Sequence, residues 1–317
     1  RYHIVFRSRI YILVILLMCS AVKVHAQYDP SFSHYYDMET SFNPASAGKD
    51  TKLNVVAAYA LDMAGFEHNP QTAYASADMP FYFMKSYHGV GLRFMNDKIG
   101  LFTHTMLDAQ YAYRFKLLGG KMAVGLQAGF ISENFDGSKV DVEESNDPAL
   151  STSSLSGNTF DLALGLYYSQ KYWYAGFSVQ HLTAPLVSLG DNKELKIDRT
   201  YYLTGGGNIP SRNPFLCVKP SFLVRTDGVS WRGDITGRLV YTHGSRMLYV
   251  GAGYSPTISA TVMVGGSFHG VVLGYSYEIF TSAINPGNGS HELFIGYQHD
   301  INLVKKGRNK HKSVRIL

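Results

Sequence analysis

The chain has 317 residues, of which 45% are hydrophobic and 17% charged, and its formal net charge is +5. That length could hold two soluble domains, but no low-complexity linker divides the sequence. The mild charge gives no reason to expect a nucleic-acid partner.

The chain opens with a secretory leader. Arg7 and Arg9 precede the apolar run 10–18, and Val24-His25-Ala26 forms an A-x-A-like cleavage site before Gln27. The apolar run is too short for a transmembrane helix. We therefore expect export, with a mature chain that begins at Gln27.

The two cysteines bear on how the exported chain is processed. A lipoprotein anchored through Cys19 is the weaker alternative, because bulky Met18 stands where a small residue is needed. Cleavage before Gln27 leaves Cys217 alone, which excludes an internal disulfide. The sequence starts at Arg1, so we expect the initiator residue to precede it.

After residue 50 a pattern of period two recurs about fourteen times. In the segment 103–117 one parity carries Leu107, Ala109, Tyr111, Tyr113 and Phe115, and the other carries His104, Asp108, Gln110, Arg114 and Lys116. Successive strand side chains point to opposite faces, so each such segment has one apolar and one polar face. Runs of about 9–14 residues suit tilted strands that cross a bilayer.

The pattern predicts fourteen strands whose connections alternate between the two ends of a barrel. The strands are 53–62, 71–80, 89–96, 103–116, 121–134, 158–168, 172–181, 199–208, 215–226, 232–242, 246–254, 258–267, 271–280 and 291–302. Long connections (135–157, 182–198, 281–290) fall at one end, and tight ones (117–120, 169–171, 243–245, 268–270) at the other. Bacterial outer-membrane barrels have an even strand number, short periplasmic turns and long outer loops. The connection 80–88 is the least typical and is expected to contain an aromatic-flanked periplasmic turn.

The apolar parity of these strands carries no Lys or Arg, which would cost about 2–4 kcal/mol at mid-bilayer. It includes Leu53, Val55, Tyr59, Met122, Val124, Leu126, Phe130, Phe160, Leu162, Leu164, Leu166, Trp173, Phe177, Val179, Leu216, Val218, Phe222, Val224, Ile235, Leu239, Tyr241, Val271, Leu273, Tyr275, Tyr277, Leu293, Ile295 and Tyr297. The opposite parity predicts polar residues in the lumen: Asp108, Arg114, Lys219, Arg232, Asp234, Arg238, Glu278 and Glu292.

The fold prediction is an all-β, antiparallel outer-membrane β-barrel of about 14 strands. It divides the chain into a leader (1–26), a periplasmic N-terminal segment or plug (27–52), the barrel (53–302) and a basic C-terminal tail (303–317). No span of 18 apolar residues follows the leader, so a helical membrane protein is excluded.

Residues for catalysis or metal binding are few. The sequence holds no H-E-x-x-H, G-x-S-x-G or C-x-x-C motif, and we predict no catalytic residue, cofactor or metal site. Adjacent His291 and Glu292 should point to opposite faces of one strand. The acidic loop 136–147 could hold calcium but lacks EF-hand spacing, so a solvated loop is favoured. Asp234, Arg232 and Arg238 are expected to neutralise one another.

Several short motifs, in order over some 260 residues, resemble the PorP/SprF family of the type IX secretion system and gliding machinery of Bacteroidota. They are Asp29-Pro-Ser-Phe-Ser-His-Tyr35, Ser41-Phe-Asn-Pro-Ala-Ser-Ala-Gly48, Gly65-Phe66, Asn96-Asp97-Lys98-Ile99-Gly100, Phe177-Ser-Val-Gln-His-Leu182 with Pro185, Tyr201-Tyr-Leu-Thr-Gly-Gly206, Lys219-Pro220-Ser221, Gly274-Tyr-Ser-Tyr277 and Gly289-Ser-His-Glu-Leu293. Ser41 and Ser46 depart from the Tyr that is common in the family at these positions.

The resemblance implies a non-enzymatic component of the cell outer membrane that serves secretion or gliding. Its implied partners are outer-membrane lipids, a periplasmic ring lipoprotein with its associated proteins, a peptidoglycan-binding protein and a secreted adhesin. Two other functions stay open. One is a channel for solutes or hydrophobic compounds in the same barrel, and the far less favoured one is an outer-membrane hydrolase.

The segment 27–52 precedes the first strand, so we expect it to begin in the periplasm. One hypothesis makes it a docking site for periplasmic partners, with Phe32, Tyr35, Tyr36 and Phe42 as aromatic anchors beside turn-forming Asn43 and Pro44. A lumen plug or a short lead-in is the alternative. If the segment does not dock partners, the turns 80–88 and 210–214 are the next candidates, and the basic tail 305–317 would add a salt-sensitive attraction.

Overall fold

The computed structural model describes residues 28–137, 154–190, 193–282 and 288–301. Fourteen strands form the wall of one barrel, and each lies where the sequence predicts a strand. They are β1 Lys52–Leu61, β2 Gln71–Phe83, β3 Ser86–Ile99, β4 Phe102–Leu117, β5 Gly120–Phe135, β6 Leu155–Ser169, β7 Trp173–Gln180, β10 Thr200–Gly207, β12 Leu216–Thr226, β13 Trp231–His243, β14 Arg246–Ser255, β15 Ser259–Phe268, β16 Val271–Phe280 and β17 Ser290–Asp300.

Short elements accompany the wall. A hairpin of β8 (Leu186–Leu189) and β9 (Lys193–Lys196) follows β7, and β11 (Ile209–Pro210) pairs beside β12. Two 3₁₀ turns, Glu39–Ser41 and Pro44–Ser46, precede the barrel. Among the residues that the structure describes, no helix is long and apolar enough to span a membrane.

The sheet closes on itself. Neighbouring strands pair antiparallel, β1 pairs with β17 so that Lys52 lies opposite Asp300, and β10 pairs with β12 so that Tyr201 lies opposite Thr226. A closed sheet satisfies its backbone hydrogen bonds between strands, which is what the hydrocarbon core of a bilayer requires of a spanning sheet. The prediction of a fourteen-strand antiparallel barrel is confirmed.

The two faces of the wall differ as the period-two pattern predicts. In β4, Leu107 and Tyr111 are 57% and 42% exposed, whereas Asp108 and Gln110 between them are 2% and 4% exposed. None of the residues predicted on the apolar face is buried. The outside of the barrel is therefore an apolar surface, and the polar parity lies in the lumen.

The two ends of the barrel have different connections. We call the end at which β1 begins and β17 ends the terminal end, and the opposite end the loop end. Four turns of two residues (84–85, 118–119, 244–245 and 269–270) lie at the terminal end, and several use a positive φ, for example Met84 (46°), Leu118 (46°) and Gly244 (62°). Two tight turns, 100–101 and 256–258, lie at the loop end. The longest connections join strands at the loop end.

The connection 80–88 is shorter than the sequence suggested. β2 continues to Phe83 and β3 begins at Ser86, so the turn itself consists of Met84 and Lys85. The strands extend because their aromatic residues pair across them, as Tyr82 and Tyr87 do with ring centroids 5.1 Å apart. The aromatic flank of this turn therefore belongs to the barrel wall.

The core of the molecule lies inside the barrel. Phe32 and Met38 from the segment before β1 pack with inward-facing Tyr74, Met95 and Met106 of the wall. Burying these side chains stabilises the fold by roughly 1.5–3 kcal/mol each. The lumen is thus a packed interior in which side chains of the N-terminal segment meet those of the wall.

Candidate functional site

Residues 28–51 fill the lumen, and we call this segment the plug. The predicted partner anchors Phe32, Tyr35, Tyr36 and Phe42 are only 7%, 2%, 4% and 4% exposed. Asn43 and Pro44, predicted beside them, are buried as well. In this arrangement the six side chains contact the barrel, so a partner could reach them only if the plug left the lumen. Their docking role stays a prediction.

The plug begins at the loop end. The hydroxyl of Tyr28 donates to the Glu133 carboxylate, and Asp29 accepts from Nε2 of His181 at 3.0 Å and from the Tyr202 hydroxyl at 2.6 Å. These wall residues lie close to the loop end of their strands. The expectation that the segment begins at the same end as β1 is therefore wrong, because its polar first residues find their partners at the opposite end.

His181 is the centre of this loop-end anchor. Its Nδ1 lies 2.9 Å from Oδ2 of Asp161, and its φ of 54° turns the chain just after β7. Burial by itself would lower the pKa of His181, but the carboxylates of Asp29 and Asp161 raise it to about 10. The same imidazolium holds the pKa of Asp29 below its usual range despite burial. A charged triad therefore fixes the start of the plug.

A second carboxylate of the wall holds the middle of the plug. Glu292 accepts from the backbone N–H of Ser33 at 2.6 Å and from that of His34 at 3.0 Å, and its Oε1 lies 2.5 Å from Nδ1 of His34. Glu292 points inward, whereas the neighbouring His291 lies 2.7 Å from the hydroxyl of outward-facing Tyr275. Adjacent His291 and Glu292 thus face opposite sides, as the strand pattern predicts.

The Asn-Pro turn of the plug docks closely on the wall. Asn43 donates from Nδ2 to the carbonyl of Leu166 at 3.0 Å, while its Oδ1 accepts from Ala45 N–H at 3.0 Å and so caps the second 3₁₀ turn. Gly165 is the wall residue beneath it, and a Cβ at that position would collide with Oδ1 of Asn43. The wall thus carries glycine where the plug approaches its backbone.

The plug ends at the terminal end against charged wall residues. Arg114 donates from Nη2 to the carbonyls of Ala45 and Ala47, at 3.0 and 2.5 Å, and the N–H of Gly48 donates to Oδ2 of Asp78 at 2.7 Å. Gly48 adopts a φ of +62°, and a Cβ there would lie 2.8 Å from Cα of Gly89. Only glycine fits this crossing without moving the wall.

Each of the eight predicted lumen residues lies on the inward parity of its strand. Arg232 contacts Asp234 at 3.1 Å and Glu278 at 3.0 Å, so one guanidinium is shared between two carboxylates. Arg238 instead reaches the plug, where it lies 3.3 Å from the ring centroid of Tyr36 and 3.5 Å from Asp37. The remaining predicted residues are Asp108, Arg114, Lys219 and Glu292, of which Lys219 lies opposite Arg238 in the β12–β13 pairing. The acidic loop 136–147 lies almost entirely outside the described residues.

The β8–β9 hairpin covers the lumen at the loop end. Val187, Leu189 and Ile197 are buried and pack in the same cluster as Phe32 of the plug. The sequence predicts 182–198 as an outer connection, and this inward packing differs from that expectation. The alternation of apolar Val187 and Leu189 was the signal that could have revealed it, although such a short run also suits an exposed hairpin.

The terminal-end turns form an exposed rim. Met84 and Leu118 at their tips are 80% and 86% exposed. Five of the six turns carry a Lys or Arg within them or no more than two residues away, and none carries Asp or Glu; the cations are Lys85, Lys116, Lys121, Lys171, Arg212 and Arg246. Exposed apolar tips among cations are a surface suited to contact with another molecule.

Comparisons with known proteins give distant structural likenesses and one family match. Three solved structures resemble the chain at 10% identity: the CymD monoaromatic hydrocarbon channel (TM-score 0.49, covering 89% of this chain and 96% of that one), a TodX monoaromatic hydrocarbon channel mutant (0.45, 79% and 89%) and a Pseudomonas aeruginosa FadL homologue (0.44, 82% and 93%). No curated protein matches the chain. The family described as type IX secretion system membrane protein PorP/SprF matches residues 24–297. The chain therefore belongs to the PorP/SprF family of type IX secretion system membrane proteins.

Proposed function

We propose that this chain is a non-enzymatic outer-membrane component of the type IX secretion system that acts by protein contact. It docks periplasmic ring proteins, including a ring lipoprotein and a peptidoglycan-binding protein, and supports export of surface adhesins. It reaches the outer membrane of a Gram-negative cell after its leader is removed. Membership of the PorP/SprF family supports a role in the type IX secretion system. The packed lumen supports action by protein contact and not by transport through the barrel.

The observation that carries this proposal is the filled lumen. The plug crosses the barrel from one end to the other, and the β8–β9 hairpin packs on it at the loop end. Three cavities that border the plug measure about 140, 20 and 10 Å³. A passage for a folded client or a large solute would require the plug to leave, whereas a docking role needs only the outer surface.

We place the docking surface at the terminal-end turns. Short turns face the periplasm in bacterial barrels, and ring proteins lie in that compartment. The tips Met84 and Leu118 stand clear of the wall with Lys85 and Lys121 near them in sequence. This surface includes the turns 80–88 and 210–214, which the sequence analysis named as the next candidates after the plug.

Affinity purification of the ring proteins tests the proposal. Met84→Ser together with Leu118→Ser should lower their co-purification several-fold, because apolar anchors dominate interface energies. Val229→Ser is the matched control, since Val229 is 61% exposed at the loop end. Equal recovery of ring proteins with both variants would refute docking at these turns.

Planar-bilayer conductance separates docking from the channel alternative. We expect the purified barrel to show no steady conductance, because the plug and hairpin occupy the lumen. Stable open steps with the unmodified protein would favour a solute channel instead.

A further inference from the structure

An acidic cavity opens at the terminal end between the plug and the wall. Its volume is about 140 Å³, and its lining includes Asp37, Glu39, Lys49 and Asp50 of the plug with Asp78 of β2 and Gln298 of β17. Four carboxylates and one lysine thus face one space. Lys49 is already committed, because its Nζ lies 2.6 Å from Oε2 of Glu39.

Two buried oxygen atoms in this lining have no partner. Glu39 is 2% exposed and Asn54 is 9% exposed. The Tyr167 hydroxyl interacts with the Glu39 carboxylate, yet Oε1 of Glu39 and Oδ1 of Asn54 have no geometrically sound hydrogen bond from the described residues. An unpaired buried acceptor is destabilising, and a charged one is more so. These atoms therefore indicate a hydrogen-bond donor that the described residues do not supply.

The nearby cations do not fill this role. Arg238 lies outside the lining and reaches Asp37 at 3.5 Å, and Lys52 at the rim donates to Oε1 of Gln298 at 3.3 Å. Arg114 is bound to the carbonyls of Ala45 and Ala47. Glu39 Oε1 and the exposed carboxylate of Asp50 thus have no ion-pair partner among these three cations.

The geometry selects an organic cation over a metal ion. Within the described parts of the chain, no three His, Cys, Asp or Glu side chains converge closely enough to hold a metal. Dispersed carboxylates and an amide oxygen around a narrow space suit an ammonium or guanidinium on a flexible stem, which donates several hydrogen bonds in different directions.

The chain itself carries such cations next to the cavity. The backbone N–H of Ile301 donates to the carbonyl of Thr51 at 2.9 Å, so the segment that follows β17 departs beside the end of the plug. Residues 302–317 contain six Lys or Arg and no Asp or Glu. Lys305 is four residues beyond Ile301, a reach of roughly 13–14 Å in an extended chain, and such a short tether raises the effective concentration to about the millimolar range.

We propose that the cavity is a binding site for Lys and Arg side chains and that the segment 302–317 of the same chain occupies it. The segment then bridges the end of the plug and the last strand, and so holds the plug from the terminal end as His181 holds it from the loop end. This goes beyond docking of ring proteins at the turns and does not depend on it.

Zero-length cross-linking of the full-length protein in detergent tests the site. A carbodiimide condenses a Lys Nζ with a carboxylate that touches it, releasing water to the reagent. At low salt we expect amide links from the tail lysines (Lys305, Lys306, Lys310, Lys312) to Asp37, Glu39 or Asp50. At 1 M salt, where the Debye length is about 3 Å, their yield should fall several-fold.

Paired variants make the outcome decisive. Asp37→Asn with Asp50→Asn, both exposed enough to keep the fold, should reduce the links about tenfold, whereas Asp227→Asn at the loop end should leave them unchanged. Mixing labelled and unlabelled protein should give links within one chain. Links between chains would overturn occupation by the same chain, and tail lysines linked only to Asp300, or not at all, would overturn the site.

A synthetic peptide of residues 303–315 gives a second measurement. It should bind the full-length protein in which the six basic tail residues are changed to Gln, with a dissociation constant about tenfold weaker after Asp37→Asn and Asp50→Asn. It should bind the unmodified protein poorly, because the site is occupied. Equal binding to both forms, or no binding to either, would refute the proposal.

Discussion

Arg93 and Asp108 face each other across β3 and β4, buried in the lumen with Nε and Nη2 of the guanidinium 2.7 and 2.6 Å from Oδ2 of the carboxylate. The same guanidinium donates from Nη1 to the carbonyl of Ser41 in the plug. One pair of wall residues therefore links the β3–β4 pairing to the position of the plug.

Arg93→Ala should destabilise the protein strongly, because it leaves the Asp108 carboxylate buried without its partner. Breaking a buried pair in this way costs about 3–5 kcal/mol. Arg238→Ala is the control, since its cation–π contact and distant ion pair are worth about 1 kcal/mol. The measurement is denaturant unfolding of the protein refolded in lipid vesicles. A similar loss in the free energy of unfolding for both variants would contradict the importance of the buried Arg93–Asp108 pair.

Charges on the outer face should block assembly. Leu164 and Leu239 are 42% and 44% exposed on the outside of the wall, and an Arg at mid-bilayer costs about 2–4 kcal/mol. Leu164→Arg or Leu239→Arg should reduce heat-modifiable migration in gels, whereas Arg238→Ala in the lumen should preserve it. Tolerance of both outer variants would contradict the assignment of the faces.

The loop-end anchor should weaken as the pH rises. His181 has a folded pKa of about 10 against an ordinary value of 6.5, so its contribution to stability is complete below pH 6.5 and is lost progressively up to pH 10. Asp29 has a lowered pKa, so its contribution is lost only as the pH falls below the ordinary value of 3.8. Hydrogen exchange of the amides 28–34 should therefore accelerate between pH 6.5 and 10, after correction for intrinsic rates. His181→Gln should abolish that dependence, and an unchanged slope would contradict the anchor.

The position of the two ends can be tested on intact cells. Epitopes inserted at Gly119 or Gly244 should be reached only after the cells are permeabilised, because the short turns face the periplasm. An epitope at Gly228, in the opposite end of the barrel, should be labelled without that step. Each insertion follows the glycine and leaves it in place, because all three glycines have a positive φ. The space around them is open, since a Cβ there would meet no atom within 4 Å. Labelling of an epitope at Gly119 on intact cells would show that the barrel has the opposite orientation in the membrane.

The wall could be predicted from the sequence because apolar and polar residues alternate within each strand, which identifies its outer and inner faces. The segment 103–117 alternates so regularly that one residue of slip would place Asp108 and Arg114 in lipid. The path of the plug could not be predicted in this way. It depends on contacts between residues far apart in the chain, such as Asp29 with His181 and Ser33 with Glu292, and no local period records them.

The positions of glycine are informative only after the fold is known. That Gly165 receives the Asn43 side chain follows only from the plug lying on the wall. Asp29 and His181 both stand in motifs that carry the family resemblance, which in retrospect pointed to their meeting. Both motifs are visible in the sequence, but nothing in the sequence indicates that they contact each other.

Removing aromatic side chains from the plug tests whether it has a role beyond filling the lumen. Tyr35 and Phe42 pack in one buried cluster, where the ring of Phe42 stacks on Tyr202 at 5.4 Å and the hydroxyl of Tyr35 lies 3.1 Å from Oγ of Ser221. Tyr35→Ala with Phe42→Ala should leave the wall assembled, because the strand pairing is independent of them. Each truncation leaves a cavity, which should weaken the attachment of the plug to the wall by about 3–5 kcal/mol.

Two measurements on this double variant give opposite answers for the two roles of the plug. If the plug only fills the lumen, bilayer conductance should rise while the recovery of ring proteins stays the same, since the terminal-end turns are untouched. If the aromatic residues are themselves partner anchors, recovery and client secretion should fall at normal barrel levels. We expect the first result, because side chains buried to this degree are unavailable at the surface. A loss of ring proteins with no conductance would instead favour docking through the plug.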